Sequence, residues 1–283
     1  MASSRPSTAD KRRTFHELHK SGCFVIPNPW NIGSARYLQG LGFKALATTS
    51  SGHAHSLGLA DGAETRDMAL AHYRELAAET DVPVNADFEG GFADDPAEVA
   101  ANVRLCVDTG VAGLSIEDFN GNEAAPLYDF DLAVKRVRAA REAIDKSGSG
   151  VLFCARTEGF IHNRPDLDEA IKRLKAFADE GADCLYAPGI KTREQIVAVC
   201  KAVAPKSVNF LNSGAFGFTV ADLAAMGVRR ISVGGTMARV AMHAFIKSAR
   251  EIAGEGKFDS FAGTMPNAEL NAFFAEDVKN RRP

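Results

Sequence analysis

Acidic, amide and hydroxyl side chains recur in this chain just after short apolar runs. Thr48-Thr49-Ser50-Ser51-Gly52 closes the second run and leads to Asp61-Gly62; Asn85-Ala86-Asp87-Phe88-Glu89-Gly90-Gly91 closes the third. Glu117-Asp118 ends the fourth, Arg156-Thr157-Glu158 the fifth, and Asn209 and Asn212 the seventh. Carboxylates converging in one cleft repel each other and attract a cation. With oxygen ligands alone, and no His or Cys suitably placed, that cation would be hard: Mg2+, or else Mn2+. Alternate residues of a strand share a face, so Asn85, Asp87 and Glu89 point together if the third strand extends that far. A single Arg156 and the amides stand opposite this acidic rim.

The elements that must position these groups alternate along nearly the whole chain. Strand-like runs cover Cys23–Pro27, Ala45–Thr49, Pro83–Asp87, Gly113–Glu117, Val151–Arg156, Asp183–Ala187, Ser207–Leu211 and Arg230–Val233. Helical patterns lie between them at Glu64–Glu79, Pro96–Asp108, Asp131–Ile144, Leu167–Glu180, Arg193–Val203 and Val220–Met226. Asp95-Pro96 supplies an N-cap and a first-turn proline. Gly110, Gly181 and Gly227 follow three of the helices, where a left-handed residue ends the helix. Eight such βα units, with no GxGxxG after the first strand, predict an α/β fold: a (β/α)8 TIM-type barrel with extra C-terminal helices. No low-complexity linker divides the chain, so one domain is expected over 1–283, with 241–283 forming the last helix and a helical extension. Those surplus helices predict a homo-oligomer, a dimer or a tetramer.

Composition narrows the function classes. With 46% hydrophobic and 24% charged residues, the 283-residue chain is ordinary globular material rather than a disordered or coiled-coil one. Its 33 basic and 36 acidic side chains give no basic platform for nucleic acid. No apolar run approaches the roughly 20 residues that span a membrane. The opening MASSRPSTADKRRTF lacks an apolar stretch after its basic residues, as a secretory signal would need. Five cysteines without CxxC spacing suggest neither a disulfide framework nor a zinc site, so a reduced, cytoplasmic protein is expected. Neither a nucleic-acid nor a membrane partner is expected.

Five motifs in order, TTSSGHAHSLGLADG (48–62), NADFEGGFADDP (85–96), GLSIEDF (113–119), ARTEGF (155–160) and VNFLNSG (208–214), resemble the isocitrate lyase/phosphoenolpyruvate mutase superfamily over about Phe24 to Phe245. The resemblance implies a Mg2+-dependent barrel acting on 2-oxo or 2-hydroxy carboxylates. The family's third-strand motif reads Asp-Ala-Asp; aligned with it, this chain has Asn85 at the first place and Asp87 at the second. The metal would then rest on Asp87 and Glu117, with Glu89 compensating and Asp61 matching the family's supporting acid. By the same resemblance the ion chelates the substrate and stabilises an enolate. Backbone N–H groups of Ser50, Ser51 and Gly52 would cradle a carboxylate, Arg156 would hold a second carboxylate or an oxyanion, and Asn209 would donate to a distal carboxylate. Arg156, Glu117 and Asp87 are the catalytic candidates. A purely structural role for Arg156 would be an ion pair with Glu158 or Glu117.

The loop after the fourth strand departs from the family. Isocitrate and methylisocitrate lyases carry a Lys-Lys-Cys-Gly-His type lid there, whereas DFNGNEAAPLYDF (118–130) has no Cys, Lys or His. Phosphonomutases use a longer lid with an Asn and basic partners; Asn120 and Asn122 are present without those partners. This points to chemistry that asks little of a lid: decarboxylation, or retro-aldol cleavage of a 2-oxo or 2-hydroxy diacid. A P–C mutase or hydrolase of the phosphonopyruvate type and a non-catalytic 2-oxo acid binder are the alternatives. His53 is a secondary candidate for a general acid, and His162, Tyr186 and Tyr128 for polar contacts; each has a packing or solvated reading. Trp30 walls a pocket or packs, and Ser232–Thr236 reads as a tightly packed turn.

Overall fold

The computed structural model describes residues 5–281. Eight parallel strands form its centre: β1 (Phe24–Ile26), β2 (Leu46–Ala47), β3 (Val84–Asp87), β4 (Gly113–Glu117), β5 (Leu152–Arg156), β6 (Cys184–Tyr186), β7 (Ser207–Leu211) and β8 (Arg230–Ser232). From β2 to β8 each strand pairs with the next in sequence, and β8 pairs with β1, giving the order β1-β8-β7-β6-β5-β4-β3-β2. The ring closes where Ala47 N–H donates to Pro27 O across 3.1 Å. Asn28 seals the same seam: its amide donates to Thr48 O, and its oxygen accepts from the N–H groups of Val233 and Gly234. The α/β barrel read from the alternation is therefore the fold.

The connecting helices start where the sequence caps them. They are α1 (Thr8–Lys20), α2 (Ile32–Gly40), α3 (Ser50–Ser56), α4 (Arg66–Glu79), α5 (Pro96–Val107), α6 (Phe130–Ser147), α7 (Leu167–Asp179), α8 (Arg193–Ala202) and α9 (Val220–Ala225). Asp95 caps α5 by accepting from Ala97 and Glu98; Ser7 with Asp10 and Asn31 with Ser34 form capping boxes for α1 and α2. Gly181 and Gly227 take φ of 94° and 97° directly after the caps of α7 and α9, a conformation that costs glycine nothing.

Two packed zones hold the barrel. One lies between strands and helices, around Leu114, Ile116, Phe153, Leu174 and Phe177. The other fills the barrel itself, with Phe15 of α1 plugging the base among Ile26, Leu152, Cys154 and Cys184. Gly113 makes room there: a Cβ at that position would meet the Phe15 ring at 2.5 Å and the Asn85 oxygen at 2.8 Å. Beyond the eighth strand, α10 (Thr236–Glu255) and α11 (Asn267–Arg281) complete the chain, so the helical tail begins at Thr236 rather than 241. α10 buries only Ala238 and exposes Val240 and Phe245 by about two-thirds. Among the described residues, no helix is long and apolar enough to cross a membrane.

Candidate active site

The strands deliver their last side chains to one end of the barrel, where Thr48, Ser50, Asp61, Asp87, Arg156 and Tyr186 line a cavity of about 170 Å³ together with deeper residues. Arg156, at the end of β5, organises this end. Its Nη1 lies 2.5 Å from Asp87 Oδ1, its Nη2 3.2 Å from Glu117 Oε2, and its Nε 2.8 Å from Glu158 Oε1. All four side chains are less than one-fifth exposed, and the guanidinium rests 4.9 Å from the centre of the Tyr186 ring. The ion-pair reading of Arg156 thus holds for three acids at once. Three of its five N–H donors face carboxylates, which leaves two for a ligand.

One arginine does not balance this cluster. Asp61 also lines the cavity, and its carboxyl is raised by burial and by the nearby charge of Asp87. Glu89 is pushed up to about 7 by burial and by Asp87, Asp61 and Glu64. Burial drives Glu117 upward too, with Arg156 opposing and Glu158, Asp87 and Glu89 adding to the rise. Burial alone would lower Arg156, but Glu158, Glu117 and Asp87 hold it firmly protonated. Five carboxyl groups around one guanidinium form a site that gains from an additional cation. Among the described residues, no three His, Cys, Asp or Glu side chains converge as a ready-made cage. That still fits Mg2+, which keeps several waters and takes one or two protein carboxylates plus substrate oxygens.

Asp87 is the best-supported of these acids. Its Oδ2 accepts from both the N–H and the hydroxyl of Ser50 at 3.2 Å, and its own N–H donates to the Thr48 hydroxyl at 2.8 Å. Asp118, next to Glu117, faces away and braces the β5 loop: it accepts from the Glu158 N–H and the Thr157 hydroxyl and pairs with Arg173 at 3.2 Å.

Several sequence expectations are corrected by the geometry. Ser50–Gly52 is not an open cradle but the first turn of α3, which Thr49 caps by accepting from Gly52 N–H. The Ser50 N–H is taken by Asp87, and Gly52 packs toward Trp30 and Ala238, outside the cavity; Ser50 and Ser51 remain in its wall. Asn85 is 3% exposed and accepts from Arg230, so it faces the interior of the cavity, while Glu89 lies close to Asp87. Beyond β3 the chain turns, with Glu89 at φ 46°, so no continued strand aligns them. Asn209 lines the cavity with its amide donating to Ser232 Oγ at 2.9 Å and its oxygen accepting from Arg230 at 2.8 Å, which leaves one amide N–H for a ligand. His53 bonds to Glu64 at 3.0 Å and stacks on His72 at 3.7 Å, away from the cavity. His162 stacks on Phe119 and bonds to Glu123.

The 118–130 loop is folded on itself. Phe119 and Leu127 form an antiparallel bridge, the Asn120 amide donates to Ala125 O, and the Asn120 oxygen accepts from Asn122 N–H. Asn122 in turn accepts from Ala124 N–H. Asn120 is held by both ends of its amide inside the turn, whereas Asn122 uses only its oxygen there. Tyr128 bonds to Asp94 and stacks with Arg136, a packing role. Tyr186 does reach the cavity, where burial raises its phenol and keeps it protonated.

Arg230 was absent from the sequence candidates, yet it lines the cavity floor while only 3% exposed. The signal was present in Arg229-Arg230 at the start of β8: adjacent strand residues face opposite sides, so one of the two had to point into the barrel. Arg229 turns outward to Gly22 O, and Arg230 turns in.

Comparison with known proteins agrees with this architecture. The family described as phosphoenolpyruvate phosphomutase matches residues 15–253. A solved structure from Burkholderia cenocepacia J2315, provisionally described as a lyase/mutase, is 43% identical with a TM-score of 0.91, covering 95% of this chain and 97% of the other. The 2-methylisocitrate lyase of Escherichia coli K12 is 30% identical, with 81% of this chain and 80% of that protein covered. An oxaloacetate decarboxylase of Paraburkholderia xenovorans LB400 is 29% identical, covering 79% and 75%.

Proposed function

The chain belongs to the phosphoenolpyruvate phosphomutase family, within the isocitrate lyase/phosphoenolpyruvate mutase superfamily, and on that footing we propose that it is a divalent-cation-assisted lyase. It cleaves a carbon–carbon bond of a small 2-oxo or 2-hydroxy carboxylate through an enolate, with decarboxylation as one form of that chemistry. The observation that carries this reading is the set of Asp87, Glu117 and Glu158 paired with Arg156, with Asp61 and Glu89 nearby, at a small cavity that Asp61, Asp87 and Arg156 line. The relatives that act on methylisocitrate and oxaloacetate support the same class of substrate.

Of the four acids expected at the metal, Asp87 and Asp61 line the cavity and would hold the cation, so Glu117 takes the supporting place with Glu89; Mg2+ suits this oxygen-only donor set, and Mn2+ would substitute. A bound divalent ion supplies Lewis-acid stabilisation to the negative charge that develops on the substrate oxygen. Arg156 fixes Asp87, Glu117 and Glu158 and presents its remaining donors to a substrate oxygen. Ser50 holds the Asp87 carboxylate at the cavity, and Thr48 anchors its backbone N–H. Tyr186 closes one wall and offers a protonated hydroxyl. The 118–130 loop brings no Cys, Lys or His and holds Asn120 inside its own turn, which favours cleavage over phosphoryl transfer, for which a free Asn with basic partners would be needed.

The exposed apolar face of α10, with Val240, Phe245 and Ile246, supports self-association. Five free cysteines fit a reducing cytoplasm. The enzymatic proposal is tested by coupling 2-oxo acid release to a dehydrogenase across oxaloacetate, methylisocitrate, malate-type acids and phosphonopyruvate, each with Mg2+ and with EDTA. Mg2+-dependent pyruvate from a C–C substrate is expected. Turnover confined to phosphonopyruvate would contradict it.

A further inference from the structure

Barrel interiors are ordinarily filled with layers of branched apolar side chains. Here the layer below the mouth is polar and carries a full charge. The Arg230 guanidinium donates through Nε to Asn209 Oδ1 at 2.8 Å, through Nη1 to Asn85 Oδ1 at 3.3 Å, and through Nη2 to Cys154 Sγ at 3.0 Å. It takes part in none of the ion pairs among the described residues. Asn85 and Asn209 are neutral and at most 3% exposed. Burial pushes the Cys154 thiol up, but the Cys184 hydrogen bond and the Arg230 and Arg156 charges bring it down to about 7, so it is only a partial counter-charge.

A buried guanidinium without a carboxylate is costly to fold. Its side chain nonetheless forms part of the cavity surface, beside Asn85 and Ser232 and below Arg156. Two of its five donors are uncommitted by the contacts above. The cavity therefore has an acidic mouth, suited to a cation and the substrate end that cation chelates, and a cationic floor with no acid to quench it. We propose that Arg230 binds the second carboxylate of a dianionic substrate and so selects 2-oxo or 2-hydroxy diacids over the corresponding monoacids. This rests on the reading of the mouth given under Proposed function. It also accounts for Asn85: an aspartate there would pair with Arg230 and cancel the floor charge, whereas asparagine orients the guanidinium and leaves it positive.

The test compares malate with lactate by titration calorimetry in the presence of Mg2+, since both carry the 2-hydroxy carboxylate and only malate has the second carboxylate. Wild-type protein is expected to bind malate at least tenfold tighter than lactate, the order expected for a hydrogen bond to a charged group. Arg230→Met should erase that preference while leaving lactate affinity unchanged, and Arg230→Lys should retain part of it. Asn85→Asp, which is isosteric, should cut malate affinity about tenfold, and it decides the matter should Arg230→Met fail to fold. A folded Arg230→Met or Asn85→Asp protein that keeps the full malate preference overturns the role of Arg230 and leaves the mouth reading standing. Equal binding of the two acids by wild type also overturns it. Binding of neither acid by wild type overturns both.

Discussion

Arg156 at the end of β5 and Asp87 at the end of β3 meet across the intervening strand, Nη1 to Oδ1 at 2.5 Å, where both line the cavity. The register places Asp87 opposite Ser115 and Glu117 opposite Arg156, so the pair spans β4 along the rim. The contact ties the proposed cation site to the proposed anion-stabilising group. Either one displaced moves the other.

Replacing Arg156 with Met should therefore lower kcat/KM by about 10²- to 10³-fold, the usual loss when a donor to developing negative charge is removed. Arg156→Lys should recover little, because an ammonium cannot face Asp87, Glu117 and Glu158 at once in the fork geometry. Steady-state kinetics on the active substrate check this; a change within a few-fold would contradict it.

Asp118 contributes through position. It joins the β4 end to the β5 loop through the Glu158 N–H, the Thr157 hydroxyl and Arg173, and it is 2% exposed. Asp118→Ala would leave Arg173 buried without its inner partner, at a cost of about 3–5 kcal/mol. A drop in Tm of several degrees or more is expected from calorimetry, at about 2–4 °C per kcal/mol in larger domains. A Tm within about 1 °C of wild type would exclude the bracing role.

His72 should give the fold an acid-sensitive limb. It is 5% exposed, and burial, followed by the neighbouring His53, lowers it from 6.5 to about 3. Between those values the unfolded chain binds a proton that the native chain does not, so stability rises with pH there and is lost on acidification below about 6.5. The limiting slope is about 1.4 kcal/mol per pH unit. Urea unfolding from pH 7.5 to 5 should show a shallower fall for His72→Phe than for wild type. Identical slopes would contradict the assignment.

Phe245 on α10 is 67% exposed beside Val240 at 66%. If this face joins copies of the chain, Phe245→Glu should shift the solution mass from an oligomer to a monomer, measured by light scattering. A wild-type protein that is already monomeric would contradict the proposal.

Much of the barrel was legible because strand and helix signals were local. β4 and β7 fall at the bounds read from Gly113–Glu117 and Ser207–Leu211, since a helix-ending glycine or a turn sets their starts. α3 is not legible as a helix: SSGHAHS is short, has Gly52 near its centre and shows no apolar period, and only Thr49 capping Gly52 sets its start. α1 was legible in principle from Ser7-x-x-Asp10. Within the site, Asp87, Glu117 and Arg156 could be found because they end strands. Alternation requires one of Arg229 and Arg230 to point inward, but which one does so, and the contacts of Asn209, depend on packing between β3, β5, β7 and β8 that no local pattern encodes.

The most direct test of the cation-binding mouth is Mn2+ binding followed by electron paramagnetic resonance, with and without oxalate as a chelating probe, in wild-type and Asp87→Asn proteins. Wild type should bind Mn2+ more tightly when oxalate is present, and Asp87→Asn should weaken that binding by at least about tenfold. Equal Mn2+ affinity in the two proteins, or no binding by wild type even with oxalate, would contradict the account.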